Sequence, residues 1–350
     1  MRASARNTGP VGLVVGMVWV AAAVAEPCAQ DQVCGLKNAE DLVQVPGSHW
    51  AVASRLGKDP QAPGGFSLVD LEKRTSRVLT PDVSKPAAAG YSACPGAPVA
   101  SDLVTHGLDV YQKAGGGATE LFAVNHGHRE SIEVFDLHAT QQGVNLTWKG
   151  CVILPAQMSA NAVAALPDGI AVTSFGSPGD KGDAELLAGR PSGFVGRWTP
   201  AKGWTHLDGS EFGGDNGIAA SADGSLLYVN DWADGTLRVL SLHGGAAPAT
   251  IKLGDFHPDN VHFMPDGNLL IAGQVGTGRD VMACVTGPGC SVGSAIAVVD
   301  PKTRQVRLQW TVTPTAHFGA ASTALLYGHD YWVSSFRGDR IVRLGPAPGK

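Results

Sequence analysis

Three stretches decide the fold: Asn161-Ala-Val-Ala-Ala-Leu-Pro-Asp-Gly-Ile-Ala-Val-Thr173, Asn216-Gly-Ile-Ala-Ala-Ser-Ala-Asp-Gly-Ser-Leu-Leu-Tyr-Val229 and Asn260-Val-His-Phe-Met-Pro-Asp-Gly-Asn-Leu-Leu-Ile-Ala272. Each reads as Asn, an apolar strand, a Pro/Ala-Asp-Gly turn and a second apolar strand. Asp-Gly between apolar runs is a strong hairpin signal, because both central turn positions must accept positive φ. The three Asn positions are 55 and 44 residues apart. A third strand follows each hairpin (193–198, 236–242, 294–300), and a fourth follows that (204–207, 249–253, 305–312). Four strands per unit of roughly 40–50 residues is the signature of a β-propeller blade.

Outward from these units the chain parses in the same way. Residues 42–54 and 66–79 make a first blade, and 107–111, 120–125, 131–137 and 144–148 a second. Residues 321–326, 331–335 and 340–344 give three strands of a last blade, whose fourth strand the chain near 32–36 can supply by closing the ring. The expected fold is therefore all-β, a six-bladed β-propeller over residues 26–350 as a single domain, with no amphipathic helix of three turns. A pair of β-sandwiches would give no reason for the period. Residues 87–100 read as irregular, a lid or an insertion, and residues 176–191 and 275–293 as loops over the channel mouth.

Composition agrees. Of 350 residues, 44% are hydrophobic and 16% charged, enough to bury a core, and the 46 Gly and 22 Pro are spread along the chain as turn-formers should be. The net charge of −5 and the absence of a basic stripe argue against nucleic acid as a partner. Residues 1–25 read as an export signal: Arg2 and Arg6 precede the apolar stretch Val11–Val24, and Ala23-Val24-Ala25 offers a small-x-small cleavage site. No other segment resembles a membrane span, so a periplasmic or secreted protein without a stable span is expected. Six cysteines in such a chain favour disulfides. They allow 15 pairings, and proximity favours Cys28–Cys34, Cys94–Cys151 and Cys284–Cys290.

The first strand of a blade lines the central channel, so polar residues at the same place in several blades converge on the axis. The blade entrances carry Glu40-Asp41, His106-Gly107, Asn161, Asp215-Asn216 and Asp259-Asn260, while the last blade offers only His317 and Ser322. Carboxylate and amide oxygens without thiolate suit a hard cation, above all calcium, and Glu40, Asn161, Asn216, Asp259 and Asn260 can supply the oxygens. A lone Asn before a strand is ordinarily a turn residue; recurrence at one position of a repeat is what makes these candidates.

In these residues the chain resembles the paraoxonase/arylesterase family of calcium-dependent six-bladed lactonases, and more distantly the gluconolactonase/regucalcin group. The matching segments are Ala39-Glu-Asp-Leu42, His106-Gly-Leu-Asp-Val110, Leu121-Phe-Ala-Val-Asn-His126 followed by Ser131-Ile-Glu-Val-Phe-Asp-Leu137, Ser159-Ala-Asn-Ala-Val163, Asp215-Asn-Gly-Ile-Ala-Ala-Ser-Ala-Asp-Gly224 and Asp259-Asn-Val261. They occur in the family's order. The resemblance implies that Glu40, Asn161, Asn216, Asp259 and Asn260 hold a catalytic calcium, that His106 is the base beside it and that His126 assists. It also implies a second, structural calcium on Asp41 and the carbonyl of Leu108, although Ala162 stands where that site needs an acid.

The implied activity is hydrolysis of a lactone or aryl ester, a small-molecule substrate, with a metal-polarised carbonyl and water attack assisted by His106. The alternative is a non-catalytic secreted propeller that binds a small ligand or a partner protein. A serine hydrolase is disfavoured because no Gly-x-Ser-x-Gly elbow occurs, and a nucleotide enzyme because Gly115-Gly116-Gly117 lies between strands rather than before a helix.

Overall fold

A computed structural model describes residues 28–57, 64–113, 117–176, 180–243, 249–286 and 290–346. The proposed signal, residues 1–25, lies outside them. The first strand, β1 (Gln32–Cys34), is followed by β2 (Leu42–Gln44), β3 (Trp50–Ser54), β4 (Phe66–Asp70) and β5 (Thr75–Leu79), the first blade. The second holds β6 (Thr105–Gln112), β7 (Thr119–Asn125), β8 (Ser131–Thr140) and β9 (Gly143–Ile153). The third holds β10 (Ala160–Leu166), β11 (Gly169–Ser174), β12 (Phe194–Thr199) and β13 (Gly203–His206). The fourth is β14 (Asp215–Ala220), β15 (Leu226–Asp231), β16 (Thr236–Ser241) and β17 (Ala249–Lys252), and the fifth β18 (His257–Phe263), β19 (Leu269–Val275), β20 (Gly293–Val299) and β21 (Val306–Val312). The sixth is β22 (Ala321–Tyr327), β23 (Asp330–Ser335) and β24 (Arg340–Leu344), with β1 as its outer strand.

Each blade is a four-stranded antiparallel sheet, and the inner strands β2, β6, β10, β14, β18 and β22 pack on one another in a closed ring. The sequence period thus reflects a six-bladed propeller. The expected closure is also found: Gln32, Val33 and Cys34 pair with Val342, Ile341 and Arg340. Joining the two ends in one sheet removes the open edges that a linear array of blades would leave.

Six apolar clusters fill the interfaces between neighbouring blades. Phe66 and Phe135, for example, meet edge-on at 5.3 Å between the first and second, and Trp332 packs with Leu42 and Val69 across the closure. Because a blade is covered on both faces, its middle strands can be buried at every residue, as β3 and β4 are. This is why they read as continuous apolar runs instead of alternating ones.

Two short helices add to the expected picture. α1 (Asp180–Leu187) and α2 (Gly278–Thr286) stand in the loops read over the channel mouth. Leu186, Trp232, Val281, Cys284 and Val292 gather there into a seventh apolar cluster that caps the mouth at which β10, β14 and β18 begin. The segment 87–100 is not a lid: Ala88 and Cys94 hold it along the outer strand β9, through the Lys149 carbonyl and the Cys151 disulfide. Among the described residues no helix is long and apolar enough to cross a membrane.

All three cysteine pairs favoured by proximity are joined, which fits an oxidising environment. Cys94–Cys151 spans 57 residues of sequence and the other two span 6 each. In the chain-entropy view, losing the long-loop bond should cost about 4 kcal/mol and losing either short-loop bond about 2 kcal/mol. Urea denaturation of three variants, each with one pair changed to Ser, checks that order.

Candidate functional site

Five of the six inner strands carry the same irregularity. Their pairing with the next strand shifts register between Thr105 and Leu108, Ala160 and Val163, Asp215 and Ile218, Pro258 and Val261, and Ala321 and Thr323. The residues inside the shifts are His106-Gly107, Asn161-Ala162, Asn216-Gly217, Asp259-Asn260 and Ser322. A bulge of this kind releases residues from the ladder and re-aims their side chains. In the first blade Glu40-Asp41 takes the corresponding place before β2, where Asp41 exchanges hydrogen bonds with Ser54 of β3. Except for Glu40 and Asp41, which stand just ahead of β2, the candidates at the blade entrances therefore lie inside the inner strands and not in turns ahead of them.

Two glycines allow the strands to come that close. A Cβ on Gly107 would meet the Asn161 carbonyl oxygen at 2.5 Å, and one on Gly217 the Asp259 carbonyl oxygen at 2.4 Å. Backbone against backbone at this distance leaves no room for a side chain.

Glu40, Asn161, Asn216, Asp259 and Asn260 are all buried. Asn260 Nδ2 donates to Glu40 Oε1 at 2.6 Å, and Ser322 Oγ donates to the Glu40 carbonyl at 2.5 Å. Asn216 reaches Asp259, whose Oδ2 also accepts from Gln274 Nε2 at 2.5 Å. Among the described residues, Glu40 Oε2, Asn161 Oδ1 and Asn216 Oδ1 are buried without a hydrogen-bond partner, as are Asp215 Oδ1 and Asn230 Oδ1 of the fourth blade. Unpaired buried oxygens are costly.

The electrostatics point the same way. Burial, then the charges of Asp259 and Asp41, push the Glu40 carboxyl well above its usual range, with Asn260 pulling it back. Burial raises Asp259 from 3.8 to about 8, opposed by Gln274 and reinforced by Asp41. Such a set of hard oxygens, two acids and three amides, fits calcium. Among the described residues no group of three His, Cys, Asp or Glu is gathered tightly enough to hold a metal without amides.

Beside the oxygens lies a histidine pair. His106 Nδ1 is 3.0 Å from His126 Nε2, His126 Nδ1 is 2.8 Å from Glu130 Oε2, and His106 Nε2 is 3.6 Å from Glu40 Oε2. This network assigns the tautomers. A carboxylate only accepts, so His126 donates through Nδ1 and accepts at Nε2. His106 then donates through Nδ1, and its Nε2 lone pair faces the oxygen cluster. Burial, the largest cause, lowers His106 to a pKa of about 3 against the attraction of Asp41, so it is neutral near pH 7.

Asp259 is braced from the capped mouth. Trp232 Nε1 donates to Gln274 Oε1 at 2.9 Å, which fixes the amide so that Gln274 Nε2 faces Asp259. His257 is not in the cluster; it bonds the Trp232 carbonyl at 2.8 Å and stacks on that ring.

Asp41 departs from the expectation attached to it. Its Oδ1 accepts from His262 Nε2 at 2.7 Å, Thr323 Oγ1 at 2.8 Å and Leu42 N at 2.8 Å, and its Oδ2 accepts from Leu108 N at 2.7 Å. Leu108 thus meets Asp41 through its N–H. Burial works against the Asp41 charge, but His262, Leu108 and Thr323 outweigh it and hold the carboxyl below its ordinary range. Burial likewise opposes charge on His262, and the Asp41 carboxylate overcomes it. His262 and Asp109 also face a recess of about 520 Å3 at the opposite mouth, which none of Glu40, Asn161, Asn216 or Asp259 lines.

Glu130, Gln274, His262 and Ser322 were not singled out as site residues by sequence reasoning. His262 and Ser322 both stand in inner strands, but only Ser322 lies in the repeated register shift; His262 follows it in β18. Gln274 acts through Asp259 in the neighbouring strand and Glu130 through His126 across a turn, and neither stands at a repeated blade position.

No family model matches the chain, and no curated protein does. Among solved structures, a gluconolactonase from Xanthomonas campestris is similar at 18% identity, with 91% of this chain and 88% of that chain covered and a TM-score of 0.51. A luciferin-regenerating enzyme is similar at 13% identity, with 91% and 94% covered and a TM-score of 0.51. These likenesses establish the fold.

The raised carboxyls make a stability test. Between pH 3.8 and about 8 the folded, cation-free chain holds a proton on Asp259 that the unfolded chain releases. Its stability therefore falls as pH rises through that window, and Glu40 acts in the same direction. In chelator, Tm should be lower at pH 8 than at pH 5.5, and added calcium should raise Tm more at pH 8. Differential scanning calorimetry of wild type and Glu40→Gln checks this, with a weaker pH dependence expected in the variant.

Proposed function

We propose that the chain hydrolyses lactones or aryl esters at the mouth where Glu40, Asn161, Asn216, Asp259 and Asn260 would hold one calcium ion. The supporting observation is that three buried, unpaired oxygens stand at corresponding positions of three blades, and one of them, Glu40 Oε2, lies 3.6 Å from the free nitrogen of His106. When bound there, calcium supplies Lewis-acid stabilisation of the charge that develops on a carbonyl oxygen during acyl transfer.

The chain's own groups supply the rest. His106 Nε2 orients the attacking water and takes its proton, as a base that burial weakens in the cation-free site. His126 Nε2, accepting from His106 Nδ1, holds that ring in the basic tautomer, and Glu130 does the same for His126. Asn260 and Ser322 fix Glu40 by its side chain and its backbone. Gln274 fixes Asp259. The apolar cap around Trp232, Leu186 and Val281 lowers the local dielectric on that side, which strengthens each of these interactions. The Xanthomonas gluconolactonase, named for a lactone substrate, uses the same fold.

A panel of lactones and aryl esters with purified protein tests the reading. Turnover should be lost in chelator and return with calcium. Glu40→Gln should lose calcium affinity and activity together. His106→Gln should keep calcium affinity, read by calorimetry, and lose on the order of 10²-fold or more in kcat. Glu130→Gln should lower kcat by a few-fold with KM unchanged. Calcium binding without turnover on either substrate class would overturn the enzyme and leave a ligand-binding propeller.

A further inference from the structure

Asp41 and Glu40 are adjacent, both buried, and opposite in their hydrogen bonding. A carboxylate offers about four lone-pair sites. On Asp41 the His262 ring, the Thr323 hydroxyl and the Leu42 and Leu108 amides supply four donors at 2.7–2.8 Å. These donors come from the fifth, sixth, first and second blades. On Glu40 one oxygen accepts from Asn260 and the other accepts nothing.

A divalent ion binds through the same lone pairs: Oδ1 already accepts three donors, and Oδ2 keeps one site, beside the Leu108 N–H that it already accepts. The backbone at Leu108 directs its N–H at Asp41, and Ala162 brings no side-chain oxygen. The second calcium implied by the family resemblance therefore does not fit these residues. We infer that the Asp41 niche takes no divalent ion: His262, with Thr323 and the Leu108 amide, is its permanent occupant, and the channel is built for a single cation. A protein clasp that joins four blades pins the axis, so the ring keeps its closure when the Glu40 cluster loses its ion.

The inference does not depend on what the Glu40 cluster does, and ion counting separates the two. Wild-type protein dialysed against millimolar calcium, then passed through a desalting column, should carry one calcium per chain by atomic emission, and none in the Glu40→Gln variant. It should also unfold in one cooperative transition in chelator. Two ions per wild-type chain would overturn the inference. No ion would overturn the calcium reading of Glu40 and leave the clasp to be decided by His262→Ala. That variant strips a buried carboxylate of its main partner, so Tm should fall by roughly 5 °C or more; an unchanged Tm sinks the clasp. Should His262→Ala not fold, His262→Gln, which retains a donor near Asp41, should fold with the wild-type ion count, and a count one higher refutes the assignment.

Discussion

Taking a carboxylate out of water costs several kcal/mol unless donors or an opposite charge replace the water. At the axis of this propeller two adjacent carboxylates meet that constraint in different ways. Asp41 meets four protein donors drawn from four blades, three on Oδ1 and one on Oδ2. Glu40 is left with a bare oxygen beside Asn161 and Asn216 oxygens that are equally bare, and with Asp259 near enough to raise its pKa. One position is closed by the chain and the other waits for something positive. That asymmetry separates the structural half of the channel from the half that can do chemistry.

The blades create this arrangement by a shared backbone device. A register shift near the start of five inner strands turns one or two residues per blade toward the axis, and the glycines at 107 and 217 let neighbouring backbones touch. Regular strands would send consecutive residues to opposite faces, and Asp259 and Asn260 could not then both reach the cluster. The bulges are the reason a repeat made for packing can also hold polar groups.

Support for the cluster arrives from both directions. On one side Glu130, His126 and His106 form a line of hydrogen bonds that sets the tautomer of the ring facing Glu40. On the other, Trp232 and Gln274 tie Asp259 to the apolar cap built around α1 and α2. Many unrelated activities sit on one fold, so the chemistry here rests on these contacts and not on the propeller itself.

The chain's own order of residues was enough for the repeat, the six blades, the closure by residues 32–34, the three disulfides and the level at which Glu40, His106, Asn161, Asn216 and Asp259 stand. All of these follow from local patterns: alternation, turn chemistry, spacing and proximity along the chain. Tertiary structure alone decided which way hydrogen bonds point across blade boundaries. Asp41 and Glu40 look alike in sequence, yet one meets His262 from more than two hundred residues away and the other meets no donor at its second oxygen. The same holds for Leu108, whose amide points at Asp41, and for Gln274 and Glu130, whose partners lie across a strand or a turn. Helices α1 and α2 were hidden because their stability comes from packing on Trp232 and Val292 and not from a helical period of their own. Donor direction and burial are properties of the closed ring, and no segment carries them until the ring has formed.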